Sequence, residues 1–257
     1  MSSINDSLKN ISLKELCSVI IVLYLFYYVL NTFNILHFET VWIYFLIIIY
    51  FLYKFRNDYS YFKRDFLKVF SPDLMKYVII IVCLNIFFSY GMLYFANFIL
   101  SVFPSINSLL TFSLTSSYLN NSLLAFGSFI GAVLVSPISE ELIFRGVVLN
   151  RLRIFIPTVL AVLFSSLLFA SLHGFGAIIS AFVFAMCMAV LYLKTENIFV
   201  PIFAHFLNNL IAECIVFADS QQVLFTNNLV MGIISIFAII SAVLIISSLI
   251  KELNNLK

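Results

Sequence analysis

Apolar runs long enough to cross a lipid bilayer recur from one end of this chain to the other and leave room for little else. A helix needs about 20 mostly apolar residues to cross roughly 30 Å of hydrocarbon. Read at that length, the sequence predicts eight spans: Cys17–Leu36, Thr40–Tyr53, Tyr77–Leu100, Leu123–Leu149, Pro157–Leu172, Phe175–Leu193, Phe199–Phe217 and Leu229–Ile250. The second is short and fits an interfacial or half-buried segment as well. Composition closes the alternatives. The chain is 63% hydrophobic and 10% charged, whereas soluble domains run about 45–50% apolar and about 25% charged. Only 7 Gly, 5 Pro and 4 Cys in 257 residues exclude collagen and disulfide scaffolds. The period-two alternation of barrel strands is absent. The first run is longer than the apolar core of a signal peptide, and no small-residue cleavage site follows it. The expected fold is therefore an all-α, polytopic transmembrane helical bundle of about eight spans.

The positive charges orient that bundle. With eight spans, all 14 Lys and Arg fall on one side: Lys9 and Lys14, the six from Lys54 to Lys76, Arg145, Arg151, Arg153, Lys194, Lys251 and Lys257. Cytoplasmic loops carry the excess of Lys and Arg, so both termini are expected in the cytoplasm. Dropping the short second span would split the charges between the two sides. The basic, aromatic-rich stretch Lys54–Lys76 reads as an orienting segment that contacts anionic lipid. A net charge of +2 gives no reason to expect nucleic acid as a partner. Three regions follow: N-terminal transmembrane helices over 1–122, a helical core over 123–217, and a C-terminal helix within 218–257. The Ser/Thr/Asn-rich outer loop Ser101–Asn121 connects the first two. No internal repeat is visible, which argues against the inverted-repeat transporter folds. Cys17, Cys83, Cys187 and Cys214 lie inside spans and read as small packing residues.

A few polar residues interrupt the spans. A charged residue at mid-helix costs about 2.5–3.5 kcal/mol on insertion scales and usually faces a working cavity. The fourth span contains Ser136-Pro137-Ile138-Ser139-Glu140-Glu141-Leu142-Ile143-Phe144-Arg145. Glu141 and Arg145 stand four apart on one face and are expected to pair. The plain reading is an ion pair that braces neighbouring helices. Glu140 sits about 100° round the helix, so Arg145 does not automatically neutralise it. Pro137 removes one backbone hydrogen bond just upstream and predicts a kink or a restart. His173 ends the fifth span. His205 and Asn209 share a face of the seventh, where a His–Asn pair alone would mean no more than helix–helix hydrogen bonding. Rises of 1.5 Å per residue put Glu140, His173 and His205 within about two helical turns of one depth. His37 lies outside that layer and reads as solvated; Glu213, four beyond Asn209, reads as an outer-interface residue.

An acid with imidazoles in a low-dielectric cavity suits general acid–base work, and a His with an Asn amide can donate to a developing oxyanion. The reaction class that fits is amide hydrolysis at membrane depth. The set Glu140-Glu141-x-x-x-Arg145, Phe169-x-x-x-His173 and His205-x-x-x-Asn209, in this order, resembles the CPBP intramembrane proteases. These include the type II CAAX prenyl proteases and the bacterial Abi or bacteriocin-processing proteins. The resemblance covers roughly Leu123–Phe217 and takes in the lead-in Thr195–Pro201. It implies that Glu140 and His173 activate the attacking water, that His205 and Asn209 hold the oxyanion, and that Glu141 and Arg145 shape the site or contact substrate. Glutamate catalysis without a metal is the favoured reading. Zinc is the alternative, with Glu140, His173 and His205 as its ligands, although no His-Glu-x-x-His is present. One family feature is altered: span six has Ala181, Ala185 and Ala189 where glycines are common, and small residues still permit close helix approach. The implied partners are a peptide or membrane-protein substrate and the bilayer, and the implied location is a bacterial plasma membrane. Competing functions are a non-proteolytic immunity factor or scaffold of the same fold, and an ion-coupled transporter using Glu140.

Overall fold

The computed structural model describes residues 4–33, 41–103 and 127–256. His37, most of the outer loop and the start of the expected core lie outside the described residues. Every regular element among the described residues is a helix. In chain order they are α1 (Ile4–Asn10), α2 (Leu13–Thr32), α3 (Val41–Lys54), α4 (Tyr59–Lys68) and α5 (Pro72–Val102). Then come a long helix α6 over 127–155, α7 (Thr158–Ala170), α8 (Ile178–Thr195) with a 3-10 turn Phe175–Ala177 before it, α9 (Phe199–Ala218), α10 (Val223–Thr226) and α11 (Asn228–Asn255). Five are long and apolar enough to cross a membrane by length and composition: α2, α5, α8 with its leading turn, α9 and α11. The remaining three expected spans differ. Helices α3 and α7 have 14 and 13 residues, about 20 Å of rise, which falls short of the hydrocarbon thickness.

Helix α6 is the third exception, because its winding changes along its length. A π-helical turn Gly131–Val135 opens into an α-helical turn Ser136–Glu141, a second π segment Leu142–Leu149, and a last α-helical turn Asn150–Phe155. Pro137 is the cause at the first junction. In the π turn the Ser136 N–H reaches back five residues to the Gly131 carbonyl. Proline has no N–H to continue that register, so the next carbonyl, Ala132, is left without its backbone donor. The expected kink is thus realised as a widened turn, of the kind that gathers at functional sites.

Helix α6 runs through the centre of the molecule. From Glu141 to Asn150 every residue of it is buried. Helix α8 packs beside it, with Ala181, Ala185 and Ala189 all buried. Helix α11 lies along α5 at very close range, for a Cβ on Gly91 would collide with that of Ala238. Such approaches are what hold helices together in lipid, where van der Waals contact replaces the hydrophobic drive. Short helix α1 docks on α6: Leu8 is fully buried, and a Cβ at Gly146 would stand 2.8 Å from its Cδ2. The Asn5 amide donates to the Glu196 carbonyl and accepts from the Ile198 N–H. In the basic stretch, Asp65 draws in Arg64 at 3.0 Å and Lys68 at 3.5 Å. The cysteines divide, contrary to expectation. Cys187 is buried, but Cys17, Cys83 and Cys214 are exposed on outward helix faces and fill no core space.

Candidate active site

The second π segment of α6, the end of α7, the middle of α8 and the first half of α9 converge on one buried cluster. Glu141 is its hub. Its Oε1 accepts from the Arg145 guanidinium at 3.1 Å and lies 2.8 Å from His205 Nδ1. Glu141 is wholly buried and Arg145 is 1% exposed. The expected i,i+4 pair is therefore present, and it carries a third member from α9. Arg145 also donates to the Ala185 carbonyl at 3.0 Å, and its guanidinium lies 4.8 Å from the centre of the Phe169 ring. The alanine at 185 on α8 lets that arm approach the backbone. The carboxylate, the carbonyl and an aromatic face replace part of the water that a guanidinium loses on burial, while among the described residues Arg145 Nε and Glu141 Oε2 find no hydrogen-bond partner.

Glu140 leaves α6 about 100° round from Glu141, and its carboxyl group also reaches His205. Its Oε2 stands 3.9 Å from His205 Nε2, and its Oε1 accepts from the Ser136 hydroxyl one turn earlier. Ser136 was not singled out from the sequence, although its four-residue spacing to Glu140 was a usable signal. His205 thus lies between two carboxylates, one at each ring nitrogen.

His173 is held differently. Its Nδ1 bonds the Phe169 carbonyl at 3.1 Å, and its ring lies against the Phe169 ring at 4.8 Å between centres. It is half-buried and within electrostatic range of Glu140 and His205 without touching either. Phe169 is the shared wall: its ring also contacts His205, Phe144 and Phe184. The sequence marked Phe169 only as the first letter of a motif. Asn209 lies one turn beyond His205, and its amide donates to the Ala132 carbonyl at 2.9 Å and accepts from Asn208. Glu213 is half-buried on the same helix. The structure therefore joins Glu140, Glu141, Arg145 and His205 directly, His173 through Phe169, and Asn209 to the break in α6.

An apolar cavity of about 430 Å³ lies among α3, α4, α6 and α9, and no residue of the cluster lines it. Ile138 and Leu142 of α6 and Ile202, Phe203 and Phe206 of α9 line it, so the two helices that carry Glu140 and His205 also wall the cavity. Phe62 and Phe66 of α4 and Ile4 of α1 line it too. Among the described residues no three His, Cys, Asp or Glu side chains are arranged to hold a metal ion, so the donor set Glu140, His173 and His205 does not fit zinc in this arrangement.

The fold and the cluster define a polytopic helical membrane protein with an acid–imidazole centre among its helices. Residues 121–211, about a third of the chain, match the family described as Type II CAAX prenyl endopeptidase Rce1-like. That stretch is similar to the Rce1-like family, consistent with the CPBP intramembrane proteases. The match supports an endopeptidase that acts on peptide or membrane substrates in a bilayer. No curated protein and no solved structure matches the chain.

Proposed function

We propose that this chain is an intramembrane endopeptidase that hydrolyses a peptide bond in a small peptide or membrane-associated substrate, using water activated by Glu140. The observation that carries the reading is the 3.9 Å approach of Glu140 Oε2 to His205 Nε2 among the helices. A carboxyl group and an imidazole face one another there, and low dielectric strengthens their action on a water between them. The water oxygen bonds the scissile carbonyl carbon, the carbonyl electron pair moves onto oxygen, and the water proton passes to Glu140. Collapse of the tetrahedral species breaks the C–N bond, and that proton goes to the departing nitrogen. His173, within electrostatic range of Glu140, is the second group at that water. The amide proton of Asn209 not given to Ala132 is the donor for the oxyanion. The apolar cavity receives the apolar part of the substrate, a lipidated tail or a hydrophobic peptide segment. No step needs a metal.

The test compares membrane peptidomes of a deletion strain carrying the native chain or Glu140→Ala. The native chain should produce cleavage products that the variant, inserted at the same level, does not. Unchanged processing by Glu140→Ala would refute the assignment. A protective effect that survives loss of both Glu140 and His205 would place the chain with non-proteolytic immunity proteins instead.

A further inference from the structure

We propose that Tyr44 is a positioning residue for Glu140: its phenolic hydroxyl, carried by α3, faces the Glu140 carboxyl and steadies it for the attack on water. The inference rests on the proposed hydrolase reading and deepens it. Helix α3 packs along α6 over the stretch that holds Pro137 and Glu140. The two helices meet closely at Gly131, where an added Cβ would stand 2.3 Å from Val41 Cγ2. At 3.6 residues per turn, Val41, Tyr44, Ile48 and Phe51 share one face of α3. Ile48 and Phe51 line the apolar cavity, opposite Leu134 and Ile138 of α6. Tyr44 therefore lies between two places where α3 meets α6, about one turn past the Gly131 contact and one turn before the cavity. Its ring is half-buried against the core.

The Glu140 carboxyl comes back to this level. Side chains on a helix lean toward its N-terminus, and Glu140 Oε1 accepts from the Ser136 hydroxyl one turn earlier. Glu140 accordingly lies within electrostatic range of the Tyr44 hydroxyl. A phenol that faces a carboxylate acts as the donor, directly or through one water. The ionisable groups around Glu140 come from four helices: Glu141 and Arg145 on α6, His173 on α7, His205 on α9 and Tyr44 on α3. Arg145 is already engaged by Glu141 and the Ala185 carbonyl. Among these described groups Ser136 and Tyr44 are the neutral hydroxyl donors. Ser136 belongs to the same helix as Glu140 and moves with it. Tyr44 comes from another helix and ties the carboxyl to the α3 face that walls the cavity. A substrate seated against Ile48 thus touches the element that also holds the base.

Isotope-edited infrared spectroscopy of the protein in nanodiscs tests this, with kinetics on a cleaved peptide alongside. The carboxylate band lost in Glu140→Gln belongs to Glu140. Tyr44→Phe removes one oxygen and keeps the ring. It should shift that band and lower kcat about tenfold, with KM nearly unchanged. The acid limb of its kcat profile should move to higher pH, because a donor lost from the charged carboxyl favours protonation. A tyrosine that only packs would leave band and limb where they are. A more acidic, fluorinated tyrosine installed at the same site should move both the opposite way, and it decides the matter if Tyr44→Phe does not fold. A Glu140 band that stays in place, or an acid limb that does, overturns the inference. A band that moves in a protein that cleaves nothing would refute the hydrolase reading and leave the Tyr44–Glu140 relationship standing.

Discussion

The side-chain amide of Asn209 donates to the Ala132 carbonyl, the carbonyl that Pro137 deprives of its backbone donor. One residue on α9 therefore repairs the break that proline makes in α6, and in doing so fixes the spacing between the helices that carry His205 and Glu140.

That relationship predicts a specific coupling. Asn209→Leu should destabilise the native chain by up to about 1 kcal/mol, since membrane hydrogen bonds average about 0.6 kcal/mol and the partly buried Ala132 carbonyl loses its donor. Pro137→Ala restores a backbone N–H at the break. In the Pro137→Ala background the stability cost of Asn209→Leu should largely vanish, as measured by unfolding of the detergent-solubilised protein in a double-mutant cycle. Equal costs in both backgrounds would show that the two residues are not coupled. Activity separates the roles: stability restored without turnover leaves Asn209 a direct part in catalysis as well.

Arg145 supports a second prediction. Removing one partner of a buried ion pair typically costs 3–5 kcal/mol because the other charge is left uncompensated. Arg145→Met should therefore abolish accumulation of folded protein. Arg145→Lys should do nearly as badly, because an ammonium cannot reach Glu141 and the Ala185 carbonyl together while lying on the Phe169 ring. The double variant Glu141→Leu with Arg145→Met removes both charges and should restore folding without restoring hydrolysis. Expression and thermal stability in nanodiscs check the first half, and peptide cleavage the second.

Much of this was legible before any coordinates. Hydrophobic length gave the membrane class, and four-residue spacing gave the Glu141–Arg145 pair, because helix geometry alone sets which side chains share a face. What spacing along one helix cannot give is the partner from another helix. Glu141–His205, Arg145–Ala185 and Asn209–Ala132 each join residues more than 39 positions apart, and only packing brings them together. The π segments were hidden for a related reason. Pro137 announced a disturbance, but whether a helix kinks, restarts or widens depends on which neighbour supplies the missing hydrogen bond. Helix α1 was read only as a carrier of Lys9, because seven residues are too few to show a convincing apolar face.

Metal dependence has its own test. Glu140 and His205 approach at one pair of atoms, and His205 Nδ1 is committed to Glu141. Prolonged dialysis against a strong chelator should therefore leave cleavage unchanged, and metal analysis of the active protein should find no stoichiometric zinc. Loss of activity on chelation with recovery on added zinc would mean that His173 moves in to complete a ligand set.

The cavity supplies the remaining prediction, because its walls and the cluster share the same helices. Ile138 lies two residues before Glu140, and Phe203 and Phe206 flank His205. A substrate whose apolar part fills this space would be held by the same two helices that carry Glu140 and His205. Ile202→Trp should fill part of the cavity while leaving the charged cluster untouched. KM for substrates bearing a long apolar group should then rise roughly tenfold, about 1.4 kcal/mol of lost binding. Short, polar peptides should be cut at the native rate. Equal losses on both substrate types would mean that the tryptophan had distorted α9. A KM unmoved for the long apolar substrate would show that the cavity is packing space that the substrate never enters.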